Sequence, residues 1–222
     1  DPGAAGVLPV CIGNAARAIE YIADKDKQYR AELTLGITTD TQDSFGNVTS
    51  RKGAGIHDEK IIEVLESFKG IYSQIPPMYS AVKIGGKKLY EMARKGIEIE
   101  RKPRNVKIYS IEVINIKKNP ATDRFEVPTV RVLFDVKCSK GTYIRTLCAD
   151  AGERLGCGGH MSFLVRTEAA GFSIMSAFTL EDIKKMAQEG TLENALISVD
   201  KVFDGYDRYE LKQEEERKFL NG

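Results

Sequence analysis

The sequence predicts an α+β domain: a mixed, largely antiparallel sheet flanked by helices. Three patterns carry that expectation. Stretches 27–37 and 130–138 alternate inward and outward residues with period two. Stretches 58–69 and 143–155 repeat apolar residues at helical spacing and stop at Gly70 and Gly156. Strands and helices follow one another without the regular rhythm of a parallel α/β sheet, and no internal repeat is visible.

Each element follows from its own residues. Asn14 is expected to cap a short helix running to Ala23, with Ala18, Ile19 and Ile22 inward. In 27–37, Tyr29, Ala31, Leu33, Leu35 and Ile37 share one face of a strand. Residues 38–47, rich in Thr, Asp, Ser and Gly, read as a loop. The helix over 58–69 is expected to bury Ile61, Ile62, Leu65 and Phe68. Pro76 and Pro77 exclude helix interior around them, because each fixes φ and lacks a donor. A short basic helix is expected over 87–95, closed by Gly96.

The inward face of the strand over 106–116 switches partway, which predicts a bulge. Val130, Val132, Phe134, Val136 and Cys138 make one clean strand face. The helix over 143–155 turns Ile144, Leu147, Cys148, Ala151 and Leu155 inward. Residues 162–174 return as a strand or hairpin. Thr179 is expected to cap a last helix with Leu180, Ile183 and Met186 inward, Asp182 completing a capping box.

Composition bounds the function. At 222 residues, 42% hydrophobic and 29% charged, the chain suits one large soluble domain, or one plus an appendage. No run approaches the roughly 18 apolar residues of a membrane span, so no membrane partner is expected. Cys11, Cys138, Cys148 and Cys157 lack disulfide or zinc spacing. Cys157 and His160 have no second close pair to complete a metal site. Scattered thiols favour a reducing, cytoplasmic setting. Net charge is only +1, yet nine Lys or Arg face three Glu between Val82 and Lys107. From Glu181 onward, eleven acids outnumber seven bases. A basic segment beside Tyr90 and Tyr109 suits a phosphate backbone, and it equally suits a solvated helix and loop.

Ser139-Lys-Gly-Thr-Tyr-Ile-Arg145 places a tyrosine and an arginine at the start of a helix. Cations are mildly disfavoured there, so Arg145 needs a specific partner. A guanidinium can grip a carboxylate bidentately and hold it ionised. The Met78–Lys83 and Gly85–Tyr90 segment is not a phosphate loop: Ala81 stands where the first glycine belongs, and no Ser or Thr follows the lysine.

Taken together, several motifs resemble the TruB family of tRNA pseudouridine synthases. They are Asp1-Pro2 with Gly6-Val7-Leu8, Lys27-Gln-Tyr29-Arg30, Met78-Tyr-Ser-Ala-Val-Lys83, Gly85-Gly-Lys-Lys-Leu-Tyr90, Gly141-Thr-Tyr-Ile-Arg145 and His160-Met-Ser-Phe-Leu-Val-Arg166. The resemblance runs from Asp1 to about Ile183. It implies the pseudouridine synthase fold and isomerisation of the T-loop uridine of tRNA, with a tRNA T-arm as partner. The reaction breaks the bond from the base to the sugar, turns the base over and rejoins it through carbon 5. It imports no group and changes no redox state, so no cofactor and no metal are expected.

The resemblance also implies roles. Asp1 is the catalytic carboxylate, attacking the sugar or the base, or taking a proton from the sugar. Arg145 is its partner. Tyr29 stacks on the target uracil, and its hydroxyl serves the carbon 5 proton. Tyr143 is a second tyrosine that contacts the substrate, and Leu164 borders the uracil, although Leu164 reads nearly as well as core. Lys83, Lys87 and Lys88 belong to a rim that meets phosphates. Residues 1–183 are expected to form the catalytic domain, and 184–222 a linker and the opening of a C-terminal RNA-binding module. The family has a further segment before the aspartate, with a histidine-containing loop; without it, little activity is expected. A monomer is expected. The alternatives are a guide-RNA-directed synthase of a ribonucleoprotein and a non-catalytic RNA-binding domain on the same fold.

Overall fold

The computed structural model describes residues 5–122 and 126–221. In chain order the elements are β1 (Ala5–Gly6), α1 (Ile19–Ala23), β2 (Lys27–Leu35), β3 (Ile37–Thr39), β4 (Val48–Arg51), α2 (Asp58–Glu66), β5 (Gly70–Gln74), β6 (Lys83–Ile84), β7 (Lys87–Lys88), α3 (Leu89–Ala93), β8 (Arg104–Asn119), β9 (Thr129–Cys138), α4 (Ile144–Arg154), β10 (Gly159–Ala169), β11 (Phe172–Ser173), α5 (Leu180–Glu189) and α6 (Gln213–Asn221). Short 3-10 turns join several of them.

The period-two stretches pair as expected. One seven-stranded sheet has the order β1-β10-β2-β9-β8-β5, with β11 folded back on β10. All pairings are antiparallel except β1 with β10, so the sheet is mixed. The inward faces of β2 and β9 supply the core: Ala31, Leu33, Leu35, Val132, Phe134, Val136 and Cys138 are fully buried. Two register shifts interrupt β8 against β9, which places the expected bulge. α4 covers this face with Leu147, Cys148 and Ala151. Burial pushes the Cys138 thiol up to about 11, so it packs as a small apolar group.

Several expectations are corrected. The strand over 27–37 breaks at Gly36, whose φ of +98° only glycine adopts readily, and Ile37 starts a separate strand paired with β4. In α2 the buried stripe is Ile61, Val64 and Leu65, continued by Phe68 just past the helix end; Ile62 points out at 38% exposure. The helix over 14–23 is a 3-10 turn from Gly13 that becomes α-helical only at Ile19, and Asn14 does not cap it. Ile19 is exposed, not inward. The basic helix over 87–95 is instead a hairpin, β6–β7, followed by α3. Gly85 and Gly86 both take positive φ, as a two-residue hairpin loop with the right twist requires.

By internal contacts the chain divides into two compact units. One holds the residues up to Val10 together with Ala23–Ala177 and contains the sheet. The other holds Cys11–Ile22 and the chain from Phe178 onward. The expected boundary at Ile183 thus falls inside α5. In the second unit, Tyr21 meets Phe203 and Tyr206 edge-to-face. The capping box of Thr179 and Asp182 opens α5 as expected. Leu180 is 85% exposed and does not turn inward.

Candidate active site

A cleft of about 1190 Å3 opens at one end of the main sheet. Its residues come from widely separated parts of the chain: Tyr29 of β2, Leu164 and Arg166 of β10, Ala5 and Gly6 of β1, the 41–45 loop, Tyr79 to Ala81, Tyr90, Arg94 and the start of α4. Tyr29, Tyr143, Arg145 and Leu164, selected from sequence, all line this one cavity. Lys83, Lys87 and Lys88 do not line it; they stand on the β6–β7 hairpin just before Tyr90. Asp1 lies outside the described residues, four positions before Ala5.

The sheet register sets the floor. Tyr29 is directly opposite Arg166, and Ala31 opposite Leu164. Since residues i and i+2 of a strand share a face, Leu164 and Arg166 flank Tyr29 from the neighbouring strand. The Arg166 Nε donates to the Val7 carbonyl at 2.7 Å, tying β10 to the segment that follows Asp1. Gly6, opposite Arg166, has φ +114°, and a Cβ there would run into the Arg166 backbone. No other residue could bring the chain so close.

Burial raises the Tyr29 hydroxyl above its ordinary range; the thiol of Cys138 adds to this, and the Arg166 guanidinium opposes it. Tyr29 is therefore a neutral phenol at pH 7, able to donate or accept a hydrogen bond. Tyr29 and Leu164 also rest on the edge of the apolar core, so their packing and cleft-lining readings both hold.

Arg145 occupies the first turn of α4, and the partner its position demands is present. Its Nη1 donates to the Asp43 carboxylate at 2.9 Å. Its Nη2 donates to the Tyr79 carbonyl at 2.8 Å. The two side chains of this ion pair are only 12% and 8% exposed. The other Asp43 oxygen accepts from the Thr41 hydroxyl at 2.7 Å and the Phe45 N–H at 3.0 Å. The loop is fixed in turn: Met161 N–H donates to the Gln42 carbonyl, and Ser44 N–H to the Met161 carbonyl. The Thr146 hydroxyl donates to the Gln42 side chain at 2.9 Å. Both charges are thus aimed into a largely dry wall, where an ion pair has to be well hydrogen-bonded to persist.

Gln74, at the end of β5 and 1% exposed, holds the N-terminus of α4 from below. Its amide nitrogen donates to the Tyr143 carbonyl at 2.9 Å, and its amide oxygen accepts from the Tyr143 N–H at 2.8 Å.

Sequence reading missed Asp43, Gln74 and Arg166. Arg166 was within reach, since it is two residues beyond Leu164 on the same strand face. Asp43 sits in a loop rich in turn-forming residues, where an aspartate reads as local capping. Nothing in the sequence marks Gln74.

The family model described as TruB family pseudouridylate synthase (N terminal domain) matches residues 1–144, and that of the tRNA pseudouridylate synthase B C-terminal domain matches 145–204. The chain belongs to the TruB family. Among its relatives is tRNA pseudouridine synthase B of Alkaliphilus oremlandii (strain OhILAs), 48% identical over all of this chain and 70% of that protein. The protein of the same name from Pelotomaculum thermopropionicum is 47% identical over 93% of this chain and 64% of its own length. Among solved structures, a chain in the crystal structure of a Cbf5-Nop10-Gar1 complex matches with a TM-score of 0.66 and 29% identity, over 91% of this chain and 50% of that one. A chain in the structure of an H/ACA RNP bound to a substrate RNA containing 2'-deoxyuridine matches with a TM-score of 0.62 and 25% identity, over 91% of this chain and 49% of that one. This TruB chain therefore spans about half the length of those solved chains. Its α+β fold is the pseudouridine synthase fold.

Among the described residues, no helix is long and apolar enough to cross a membrane, and no group of three or more His, Cys, Asp or Glu is placed to hold a metal ion.

Proposed function

We propose that this chain carries the catalytic domain of a cytoplasmic tRNA pseudouridine synthase that isomerises the T-loop uridine. The observation that carries the reading is the convergence of Tyr29, Tyr143, Arg145 and Leu164 on one cleft beside the segment that leads out of Asp1. The names of the relatives support tRNA as the substrate: those at 48% and 47% identity are called tRNA pseudouridine synthase B, whereas the Cbf5-containing assembly matches at 29%.

In this reading the target uridine leaves its stack and enters the cleft. Extrusion costs a few kcal/mol, and stacking on an aromatic ring returns about 1–3. Tyr29 supplies that ring, with Leu164 at the uracil edge and Tyr143 opposite. Asp1 is the carboxylate that acts on the nucleotide. A guanidinium carries five donors, so Arg145 can serve two carboxylates at once. Asp43 sets its direction, and Asp1 is the one it keeps ionised. The Tyr29 phenol takes part in moving the proton from carbon 5, as a neutral hydrogen-bonding group. Lys83, Lys87 and Lys88, with Arg94 behind them, meet backbone phosphates of the T-arm. The chemistry calls for no cofactor or metal, and the protein acts as a monomer. The second unit, Cys11–Ile22 with the chain from Phe178 onward, carries the opening of the RNA-binding module.

Replacing Asp1 with Asn in the intact protein tests the reading. Pseudouridine formation in a T-arm substrate should stop, with tRNA affinity retained. Continued conversion at the wild-type rate would remove Asp1 from the chemistry. Affinity for tRNA with no product from the wild type at any concentration would leave a binding module.

A further inference from the structure

Two groups that line the cleft, Tyr143 and Arg145, stand on either side of the first residue of α4. Their directions depend on how that helix end is held. A helix N-terminus leaves its first N–H groups without intrahelical partners, and a side chain at the N-cap commonly satisfies them. Tyr143 is the N-cap residue here, and its side chain makes no such bond. The end is held from outside: Arg145 and Thr146 bond to Asp43 and Gln42 by their side chains, and one buried carboxamide, that of Gln74, holds the backbone of the N-cap residue.

Gln74 addresses both polar groups of the Tyr143 backbone, the N–H at 2.8 Å and the carbonyl at 2.9 Å. That pair needs one acceptor and one donor on the same carbon, which an amide carries at every pH. The strap continues past Gln74. Pro76 and Pro77 stiffen the next residues, and the Tyr79 carbonyl then receives the Arg145 guanidinium at 2.8 Å. One six-residue segment therefore grips the backbone of Tyr143 and the side chain of Arg145. Behind Gln74 is Tyr72, whose hydroxyl donates to Asp150 further along α4.

Resting on the proposed uridine isomerisation, we infer that Gln74 is a positioning residue: it touches no nucleotide but sets Tyr143 and Arg145 in the catalytic geometry. A substitution that keeps its shape but spoils one of the two bonds should impair turnover more than binding.

Gln74→Glu provides that test. As a carboxylate it still accepts from the Tyr143 N–H, but its second oxygen faces the Tyr143 carbonyl and repels it. As a carboxylic acid it regains a donor and reproduces the amide's pattern. The titratable and charged groups around the site are Tyr72, which is hydrogen-bonded to Gln74, then Asp150, Glu153 and Arg154 of α4, and Arg104 opposite Gln74 on β8. All are present in the wild type, which therefore serves as their control. At pH 8, with folding verified by circular dichroism, kcat on tRNA should fall about tenfold or more, as small misplacements of catalytic groups do. KM should move by less than about threefold, because no substrate contact is lost. Lowering the pH to 5.5 should restore kcat relative to the wild type.

An equal loss at both pH values would overturn the inference; an unchanged kcat at pH 8, where burial keeps the new carboxyl protonated and amide-like, passes the decision to Gln74→Met, whose wild-type turnover would overturn it. If the glutamate variant does not fold at pH 8, Gln74→Met takes its place. A kcat loss at every pH supports the assignment, and wild-type turnover refutes it. A wild-type protein that makes no pseudouridine would remove the functional reading itself, whereas an active wild type with an indifferent variant removes only the role of Gln74.

Discussion

Two arginine–aspartate pairs of this chain look alike on paper and differ in what they do. Arg30 meets Asp135 in a bidentate fork, both bonds 2.8 Å long, across the solvent face of β2 and β9. Arg145 meets Asp43 through one nitrogen at 2.9 Å. By geometry alone the first is the better bond. It is nevertheless the less consequential, because the Arg30 side chain is 47% exposed and that of Arg145 only 12%. Water and salt screen the outer pair and solvate each partner when the other is removed. In the cleft wall, losing one partner leaves a buried charge with a poorer environment. Surroundings, more than fork geometry, decide which arginine matters.

The sharpest way to break this contrast is Asp43→Ala. Removing the buried carboxylate should cost on the order of 3 kcal/mol in urea unfolding, and turnover on a T-arm substrate should fall at least a hundredfold as Arg145 loses its direction. Unaltered stability and turnover would mean that the wall tolerates an unpaired guanidinium. Tyr29→Phe tests the same cleft without touching a charge. Tyr29 precedes Arg30 on β2, so the two side chains leave opposite faces of the strand. The ring stays and the hydroxyl goes. Single-turnover kinetics should slow about a hundredfold, with tRNA affinity and thermal midpoint close to the wild type. Equal losses in rate and affinity would turn the tyrosine into a binding residue only. Asp135→Asn should have the smallest effect: a midpoint shift of at most about 2 °C by calorimetry and no change in kcat. A loss comparable to that of Asp43→Ala would refute the distinction between the two pairs.

What the sequence disclosed follows the same division between local and distant interactions. Periodicity gave β2, β9, α4 and the capping box of α5, because each is decided by neighbours two to four residues apart. The motifs named Tyr29, Tyr143, Arg145 and Leu164, and the fold brought all four to one cavity. The position of Arg145 at a helix start announced the need for a partner, but not which residue would supply it. Asp43 is 102 positions away, joined through a loop that the sequence describes only as polar. Gln74 reaches Tyr143 across 69 positions. Such partners are set by which strands pair, and no local pattern encodes them. The basic segment was misread for a local reason. Its lysines suit a helix, but Gly85-Gly86 favours a hairpin more strongly than the flanking residues favour helix.

The β6–β7 hairpin pairs with no strand of the main sheet. Lys83 and Lys87 on it are exposed, and Lys88 is partly so. Such a ribbon opens without disturbing the core, and loop tips of this kind are where proteases cut first. Trypsin should therefore nick the native molecule there early and leave the sheet intact. A nucleic acid seated against those lysines would shield the cut, so the rate of nicking would report occupancy without any label.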